Sequence, residues 1–520
     1  MHDKKLRVRG LTIRTAFHFL TCATLTTACA APPSGASPPG RGSAAPLLDP
    51  FLERMFAELR LVPGMAVAVV RDTAVVYLRG FGVADVSSGA PVTPRTLFYI
   101  ASSTKSFTGT AAAILEAKGV WDLDDPLSRW LPEASLPAPL SADSATLRQL
   151  LSHTSRIENG AIVFRTAYSG EHDRRTLIDL LAQSDVLEPG FDYGNVGYVV
   201  ASLAMDAASN GSWKDVLERE IFAPLGMGRT SANRSAADDR QLALPHGVDL
   251  DERFEVRPYI KTDANMHAAG GMVTTAEDLA RWLEANLNGG RLDGRQALPE
   301  AAVREAQRMQ ATTDAEFYRF AREGYGLGWY HGRYEGDVLV HHFGNYPGFR
   351  AHVSFMPEHG LGVAVLTNES AQGYFVPEVV AAYVYDRLRE KPGLEEKYDS
   401  AMAFLRNDAA RVRKSIERDR ERRAARPESL ALPPAAYVGT YRSPTSGSME
   451  IRQSGPGRLE ARIGVLGSPM EPVDVGGRQL RVELVPGSGA IVSFFIGAGR
   501  ADSLMYNGAV FRLDRSAGAT

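Results

Sequence analysis

The chain has 520 residues, 44% of them hydrophobic and 23% charged, with a formal net charge of −3 at pH 7. That length exceeds what one core usually supports, so two or more domains are expected. The near-neutral balance gives no electrostatic footprint for nucleic acid, and after the N-terminus no apolar run reaches the roughly 18 residues needed to cross a bilayer.

The chain opens on Lys4, Lys5, Arg7, Arg9 and Arg14, followed by a mildly apolar run over residues 16–25 and an Ala28-Cys29-Ala30 cleavage pattern. That order predicts a secretory leader over residues 1–30. Leu25-Thr26-Thr27-Ala28-Cys29 also resembles a bacterial lipoprotein box, with Thr26 where a larger aliphatic residue is usual. Cleavage after Ala30, or lipidation and membrane tethering at Cys29, are both open; either places the mature protein outside the cytoplasm, periplasmic, secreted or lipid-anchored. Cys22 and Cys29 are the only cysteines, so no disulfide framework is available.

Residues 31–46, rich in Pro, Gly, Ser and Ala, predict a flexible tether. Helical spacing follows over 47–61, then two β-rich runs, 65–70 and 74–78, about the polar turn Arg71-Asp72-Thr73. A buried helix is expected to begin in Ile100-Ala101-Ser102-Ser103-Thr104-Lys105-Ser106-Phe107-Thr108. The middle of the chain is mainly helical. It holds Leu150-Leu151-Ser152-His153-Thr154-Ser155, the turn Pro189-Gly190-Phe191-Asp192-Tyr193-Gly194-Asn195, a helix over 196–208, and a capping box from Thr275 to Asp278.

Strands return at 338–342, 350–355 and 361–366. Hairpins at both ends with helices between predict an α+β fold: one antiparallel sheet closed by terminal segments, with a helical insertion, over residues 47–387. Residues 388–431 predict a charged connecting helix. Its arginines alternate with Glu417, Asp419 and Glu421, which describes a solvated face rather than a nucleic-acid surface. Short strands between Gly, Pro and Ser turns over 432–515 predict a small β-barrel or sandwich.

Ser102 and Lys105 are spaced i, i+3, so they share a helix face, and a serine in a first helical turn lies among free backbone N–H groups. Such an arrangement suits acyl transfer. Tyr193 offers a phenol as proton relay, and Asn195 an amide to orient Lys105 or hold a substrate carbonyl. His342 is placed to bond Tyr193 or a leaving group, and the Asn345 N–H to join the Ser102 N–H in holding an oxyanion. His341 and His342 lack a third ligand at metal-binding spacing and H-E-x-x-H is absent, so neither metal nor other cofactor is expected. G-x-S-x-G is absent as well. His153 is assigned a structural hydrogen bond within its loop.

In order, Ser102-x-x-Lys105, Tyr193-x-Asn195 and His342-x-Gly344 resemble the three motifs of penicillin-recognising serine hydrolases, and most of all the class C β-lactamase-related group with its DD-peptidases, D-aminopeptidases and esterases. Val62-Pro63-Gly64, Pro224-Leu225-Gly226-Met227, Gly270-Gly271-Met272 and Pro347-Gly348-Phe349 support it, and the similarity runs over about residues 47–368. The resemblance implies a β-lactamase/transpeptidase-like fold with an inserted helical subdomain and an appended small β domain. It also implies a Ser102 acyl-enzyme served by Lys105 and Tyr193, acting on a small-molecule or peptide substrate such as a peptidoglycan fragment.

Two departures qualify it. His342-Phe343-Gly344 stands where class C β-lactamases have Lys-Thr-Gly, which weakens the grip on a β-lactam carboxylate and favours a peptidase or esterase. A β-lactamase proper and a non-turnover penicillin-binding or sensing module are the alternatives. Arg156 replaces the usual glycine and would be strained at positive φ. Arg350 is read either as a substitute for the missing positive charge or as a solvated strand-end arginine.

Overall fold

Strand β1 (Gly64–Arg71) is buried along its whole length except Arg71. Ala66, Ala68 and Val70 enter one hydrophobic core, while Met65, Val67 and Val69 enter another. A strand covered on both faces is apolar at every position, which is why it reads as an unbroken run. The computed structural model describes residues 42–249, 253–426 and 429–515; the expected leader, and the tether up to residue 41, lie outside the described residues.

Beside β1 lie β2 (Ala74–Asp85) and then β3 (Ala90–Pro91). The rest of the sheet comes from far along the chain: β4 (Ala311–Phe317), β5 (Phe320–Tyr325), β6 (Tyr330–Tyr334), β7 (Asp337–Tyr346), β8 (Phe349–Met356) and β9 (Leu361–Thr367). The nine strands run in the order β4-β5-β6-β7-β8-β9-β1-β2-β3 with antiparallel pairing throughout. β1 pairs with β9, so the expected closure by terminal segments holds. β4, β5 and β6 have no counterpart in the sequence reading. Ala311–Phe317 alternates only between partly and fully exposed residues, so no apolar period marks it.

Six longer helices matter: α1 (Ala45–Leu59), α2 (Thr104–Ala117), α3 (Val196–Ser209), α4 (Ala276–Leu287), α5 (Val376–Leu388) and α6 (Leu394–Ala424). α1 buries Leu48, Phe51, Leu52, Met55 and Leu59, a stripe at three- and four-residue spacing, and joins α5 and α6 on one face of the sheet. α2, α3 and α4 fill the other face. Thr275 caps α4, accepting from the Asp278 N–H at 3.0 Å. The other half of the expected box is not made: the Asp278 carboxylate accepts instead from Thr230 Oγ1 at 2.8 Å and the Arg229 N–H at 3.0 Å.

The first half of α6 does more than connect. It buries Tyr398, Ala401, Met402, Leu405 and Ala409 in the core shared with α1 and α5. Beyond it eight strands close into a barrel: β10 (Gly439–Ser443), β11 (Gly447–Gly455), β12 (Arg458–Ile463), β13 (Leu466–Pro472), β14 (Gln479–Val482), β15 (Ala490–Gly497), β16 (Arg500–Tyr506) and β17 (Ala509–Leu513). Closure is the pairing of β10 with β17, Tyr441 opposite Leu513. The barrel rests on the helical insertion, where Arg165 Nε donates to Thr445 O at 2.6 Å and the Val465 N–H to Ser169 O at 2.9 Å.

Candidate active site

Ser102 lies in a 3-10 turn (Ala101–Ser103) that runs straight into α2. Ala101 before it has φ 45°, a left-handed conformation that costs an L residue about 1 kcal/mol or more. The bend sets Ser102 apart. Its neighbours from Ser103 to Leu115 are all buried, while Ser102 is partly exposed.

One turn on, Lys105 is fully buried, with Nζ 3.4 Å from Ser102 Oγ. Nζ donates to Asn195 Oδ1 at 2.7 Å and to Ala269 O at 2.9 Å. It also lies 4.7 Å from the centre of the Tyr193 ring and 5.5 Å from that of Tyr198. Among the described residues no carboxylate pairs with it, and burial holds its pKa well below the ordinary lysine value. A neutral amine has two N–H bonds and one lone pair. The two carbonyl oxygens take the N–H bonds, which leaves the lone pair for the Ser102 hydroxyl.

Asn195 occupies the N-cap position of α3 but makes no capping bond with its side chain, which is turned to Lys105. Tyr193, two residues earlier, is 37% exposed. Burial of its phenol raises the pKa, Tyr330 adds to the rise, and a hydrogen bond with Ser102 pulls it part of the way back, as does Arg322. The phenol therefore keeps its proton, and it faces Ser102.

His342 is placed differently from the expectation. Its Nδ1 is 3.0 Å from Phe343 O, a carbonyl that only accepts, so Nδ1 carries the proton. Nε2 then accepts from Tyr325 Oη at 3.2 Å. Burial, then Lys105 and Arg322, hold the ring neutral. The expected hydrogen bond to Tyr193 is absent because Tyr325 occupies that nitrogen; the two rings stand 6.0 Å apart.

The pairing of β6 with β7 ends at His341, so residues 342–346 turn a strand edge towards the Ser102 turn. Ser103 Oγ donates to His342 O at 3.3 Å. A Cβ added at Gly344 would lie 1.9 Å from Ile100 O, so only glycine allows this approach. Asn345, next along, is exposed. Ser102, Lys105, Tyr193, Asn195 and the edge at 344–345 thus border one cleft between sheet and helical insertion.

Residues 52–399 match the family model described as Beta-lactamase. The chain belongs to the beta-lactamase family. Members are generally serine hydrolases. Protein flp of Staphylococcus aureus (strain N315) is 27% identical over 325 residues, 61% of this chain and 62% of that protein's length. Unguisins hydrolase ungD of Aspergillus violaceofuscus is 25% identical over 458 residues, 80% of this chain and 78% of that one. Among solved structures, the octameric penicillin-binding protein homologue from Pyrococcus abyssi superposes with a TM-score of 0.57 at 23% identity, covering 89% of this chain and 98% of its own. D-amino acid amidase from Ochrobactrum anthropi SV3 superposes with a TM-score of 0.53 at 26% identity, covering 68% and 99%.

This beta-lactamase-family site has a wall that sequence reasoning missed. Tyr330 stacks on Tyr193 with ring centres 5.9 Å apart, and His153 lies 4.6 Å from Tyr193 and 4.7 Å from Tyr325. His153, itself at φ 62°, accepts at Nδ1 from the Gly194 N–H at 3.3 Å. Its bond braces the turn that carries Tyr193 and not its own loop. Arg156 does take positive φ, 64°, and is tied down by Nε donating to Leu187 O at 2.8 Å.

Arg350 fits neither expectation. It is 2% exposed, and Nη2 donates to Glu378 Oε1 at 2.6 Å, with Glu378 also fully buried. Nε reaches Tyr374 O at 3.0 Å and Nη1 reaches Gly344 O at 3.2 Å. It is a buried strut holding β7 to α5.

A second buried lysine flanks the cleft. Lys261 Nζ donates to Ala167 O at 2.6 Å and lies 4.4 Å from the Tyr346 ring centre and 5.0 Å from that of Tyr99. Burial pushes its pKa down to about 7. Between that value and the ordinary 10.5 the unfolded chain binds a proton that the folded chain does not, so this residue makes stability rise with pH over that window. Lys261→Met is expected to raise the urea midpoint at pH 7 and to flatten its rise towards pH 10; an unchanged slope would contradict the assignment.

Proposed function

We propose that this beta-lactamase-family protein is an extracytoplasmic serine hydrolase that cleaves an amide or ester through an acyl-enzyme on Ser102, of peptidase or esterase type. The observation that carries it is Lys105 Nζ: buried, without a carboxylate partner among the described residues, bonded to Asn195 Oδ1 and Ala269 O, and 3.4 Å from Ser102 Oγ. In this reading Ser102 Oγ attacks the acyl carbon as its proton passes to Lys105. As the leaving group departs, Tyr193 gives it the phenol proton and takes in its place the proton that Lys105 received, which frees the amine. The Ser102 and Asn345 N–H groups hold the oxyanion, each donor worth on the order of 3 kcal/mol in the transition state. Water then attacks the acyl-enzyme, with Lys105 again the base.

The peptidase or esterase choice rests on the third motif. His342 is neutral and has no free ring nitrogen, and Phe343 is buried without a hydroxyl. Neither supplies what a β-lactam carboxylate needs. The likeness to a D-amino acid amidase supports D-amino acid amides or peptides, peptidoglycan fragments included, as acyl donors. The extracytoplasmic placement rests on the basic and apolar order of residues 1–30.

A labelled fluorophosphonate should add once, at Ser102, and a panel of p-nitrophenyl esters and D-amino acid amides should show turnover that Ser102→Ala abolishes. Nitrocefin should be a poor substrate. No adduct at Ser102 and no turnover across the panel would sink the proposal; fast nitrocefin hydrolysis would replace it with a β-lactamase proper.

A further inference from the structure

The cleft edge of β7 has no strand beside it, because the pairing with β6 ends at His341. What holds its far end is a ring. Tyr346, the last residue of β7, is buried between Tyr99 and Tyr168, with ring centres 5.0 Å and 6.4 Å away. Tyr99 lies three residues before Ser102, on the backbone that leads into its turn. Tyr168 belongs to the helical insertion, in a π-helical turn (Arg165–Ser169). Tyr346 therefore links the strand edge to the turn that carries Ser102, and Tyr168 closes the clamp from outside.

Tyr168 is itself seated by the barrel. With Ile260 it packs against both the hydrolase core and the barrel core. Phe164, one helical turn earlier, stacks on Tyr168 at 6.2 Å and meets the barrel's Tyr506 edge-on at 5.9 Å. The turn between β12 and β13 presses on the end of the same segment. Gly464, at φ 55°, comes so close that an added Cβ would lie 2.0 Å from Ser169 O. Just beyond, the Glu171 carboxylate accepts from the Ser448 N–H of β11 at 3.1 Å. On its inner side the segment is tied to the cleft. Asn265 Nδ2 donates to Tyr168 O at 2.7 Å, and Lys261 donates to Ala167 O while lying over the Tyr346 ring. Aromatic pairs hold a preferred offset, and hydrogen bonds on both sides of the segment fix where that offset falls.

We propose that the barrel is a positioning domain for the cleft, and Tyr168 the positioning residue through which it acts: the seated Tyr168 clamps Tyr346 and so sets the distance between the Asn345 N–H and Ser102. The two oxyanion donors stand at the two ends of the Tyr346–Tyr99 contact, so their spacing follows the clamp. A misplacement of about 1 Å costs up to about a hundredfold in rate with no group lost from the site. The Lys105 amine does not depend on the clamp, since Asn195 and Ala269 hold it. This rests on the Ser102 reading given above.

The full-length chain tests it with one variant on each side of the contact. Gly464→Val pushes the barrel off Ser169, and Tyr168→Ala removes the clamp. Each should lower kcat for p-nitrophenyl esters, and the rate at which a fluorophosphonate labels Ser102, by about tenfold to a hundredfold. KM should stay within about twofold and the ascending limb of the pH profile should not move. Tyr168→Phe, which keeps the ring, should restore most of the rate. The double variant should be no slower than Tyr168→Ala alone, because the two changes break one chain of contacts. Where circular dichroism shows Gly464→Val unfolded, Glu171→Ala takes its place, leaves every barrel residue intact, and should give the same loss in weaker form. Rates within about twofold of wild type in these variants, losses that add in the double variant, or a displaced pH limb overturn the proposal and leave the Ser102 reading standing. A wild type that fluorophosphonate leaves unlabelled at Ser102 overturns both.

Discussion

Lys105→Met is expected to lower kcat/KM by about a thousandfold, the range in which a positioned general base contributes, and at the same time to raise the melting temperature at pH 7. The two effects have one cause. Lys105 is buried without a carboxylate, and burial holds its pKa well below 10.5. Between the lowered value and 10.5 the unfolded chain binds a proton that the folded chain does not, so unfolding is favoured as pH falls through that window. Methionine fills similar volume and removes the liability. The stability gain of the variant should therefore be largest near neutral pH and shrink as pH approaches 10.5. The wild-type rate should rise with pH as the amine loses its proton, an ascending limb that lies below the ordinary lysine range. A structural lysine would give the opposite pair, lower stability with activity kept. Intact activity in Lys105→Met would remove it from the mechanism outright.

The residues that sequence alone made legible are those whose spacing is local. Ser102 and Lys105 share a helix face because they are one turn apart, and Tyr193 and Asn195 stand together because one turn leads into α3. That these pieces meet was legible only through the family resemblance, since 90 residues separate Lys105 from Asn195. The apolar runs of β1 and β9 announced two interior strands of the sheet. β4 and β5 gave no such signal, because their burial follows neither a helical nor a strand period. Tyr325 was lost with β5 and Tyr330 with β6, which the sequence did not announce either, and with those two most of the wall of the cleft. His342 was placed on the right strand, but its hydrogen bond depends on Tyr325, which no local pattern supplies. Charge misled at Arg350: an arginine at a strand end reads as solvated unless its partner is known. A hint was present in Glu378, a carboxylate set among the apolar residues of α5.

Arg350→Met should destabilise the hydrolase domain by about 3–5 kcal/mol, the cost of leaving one half of a buried ion pair alone. Both side chains are almost wholly enclosed, at 2% and 0% exposure, so solvent does little to screen the loss. Glu378 already has its pKa raised by burial, with Arg350 the main influence opposing the rise. Without the arginine the carboxyl holds its proton to higher pH. A folded pKa raised above the unfolded value costs stability as pH climbs from the unfolded value through the folded one. The deficit of Arg350→Met, read by urea unfolding, should thus be smaller at pH 5 than at pH 8. The double variant Arg350→Met with Glu378→Met should recover most of it, because removing both charges removes the desolvation cost with the attraction. Activity separates this strut from a substrate-binding arginine. Arg350 donates to Gly344 O at 3.2 Å and so steadies the strand edge that carries the Asn345 N–H. Its loss should lower kcat for neutral and anionic esters alike. If Arg350→Met kept its stability and lost only the anionic substrate, Arg350 would be a substrate-binding arginine and not a strut.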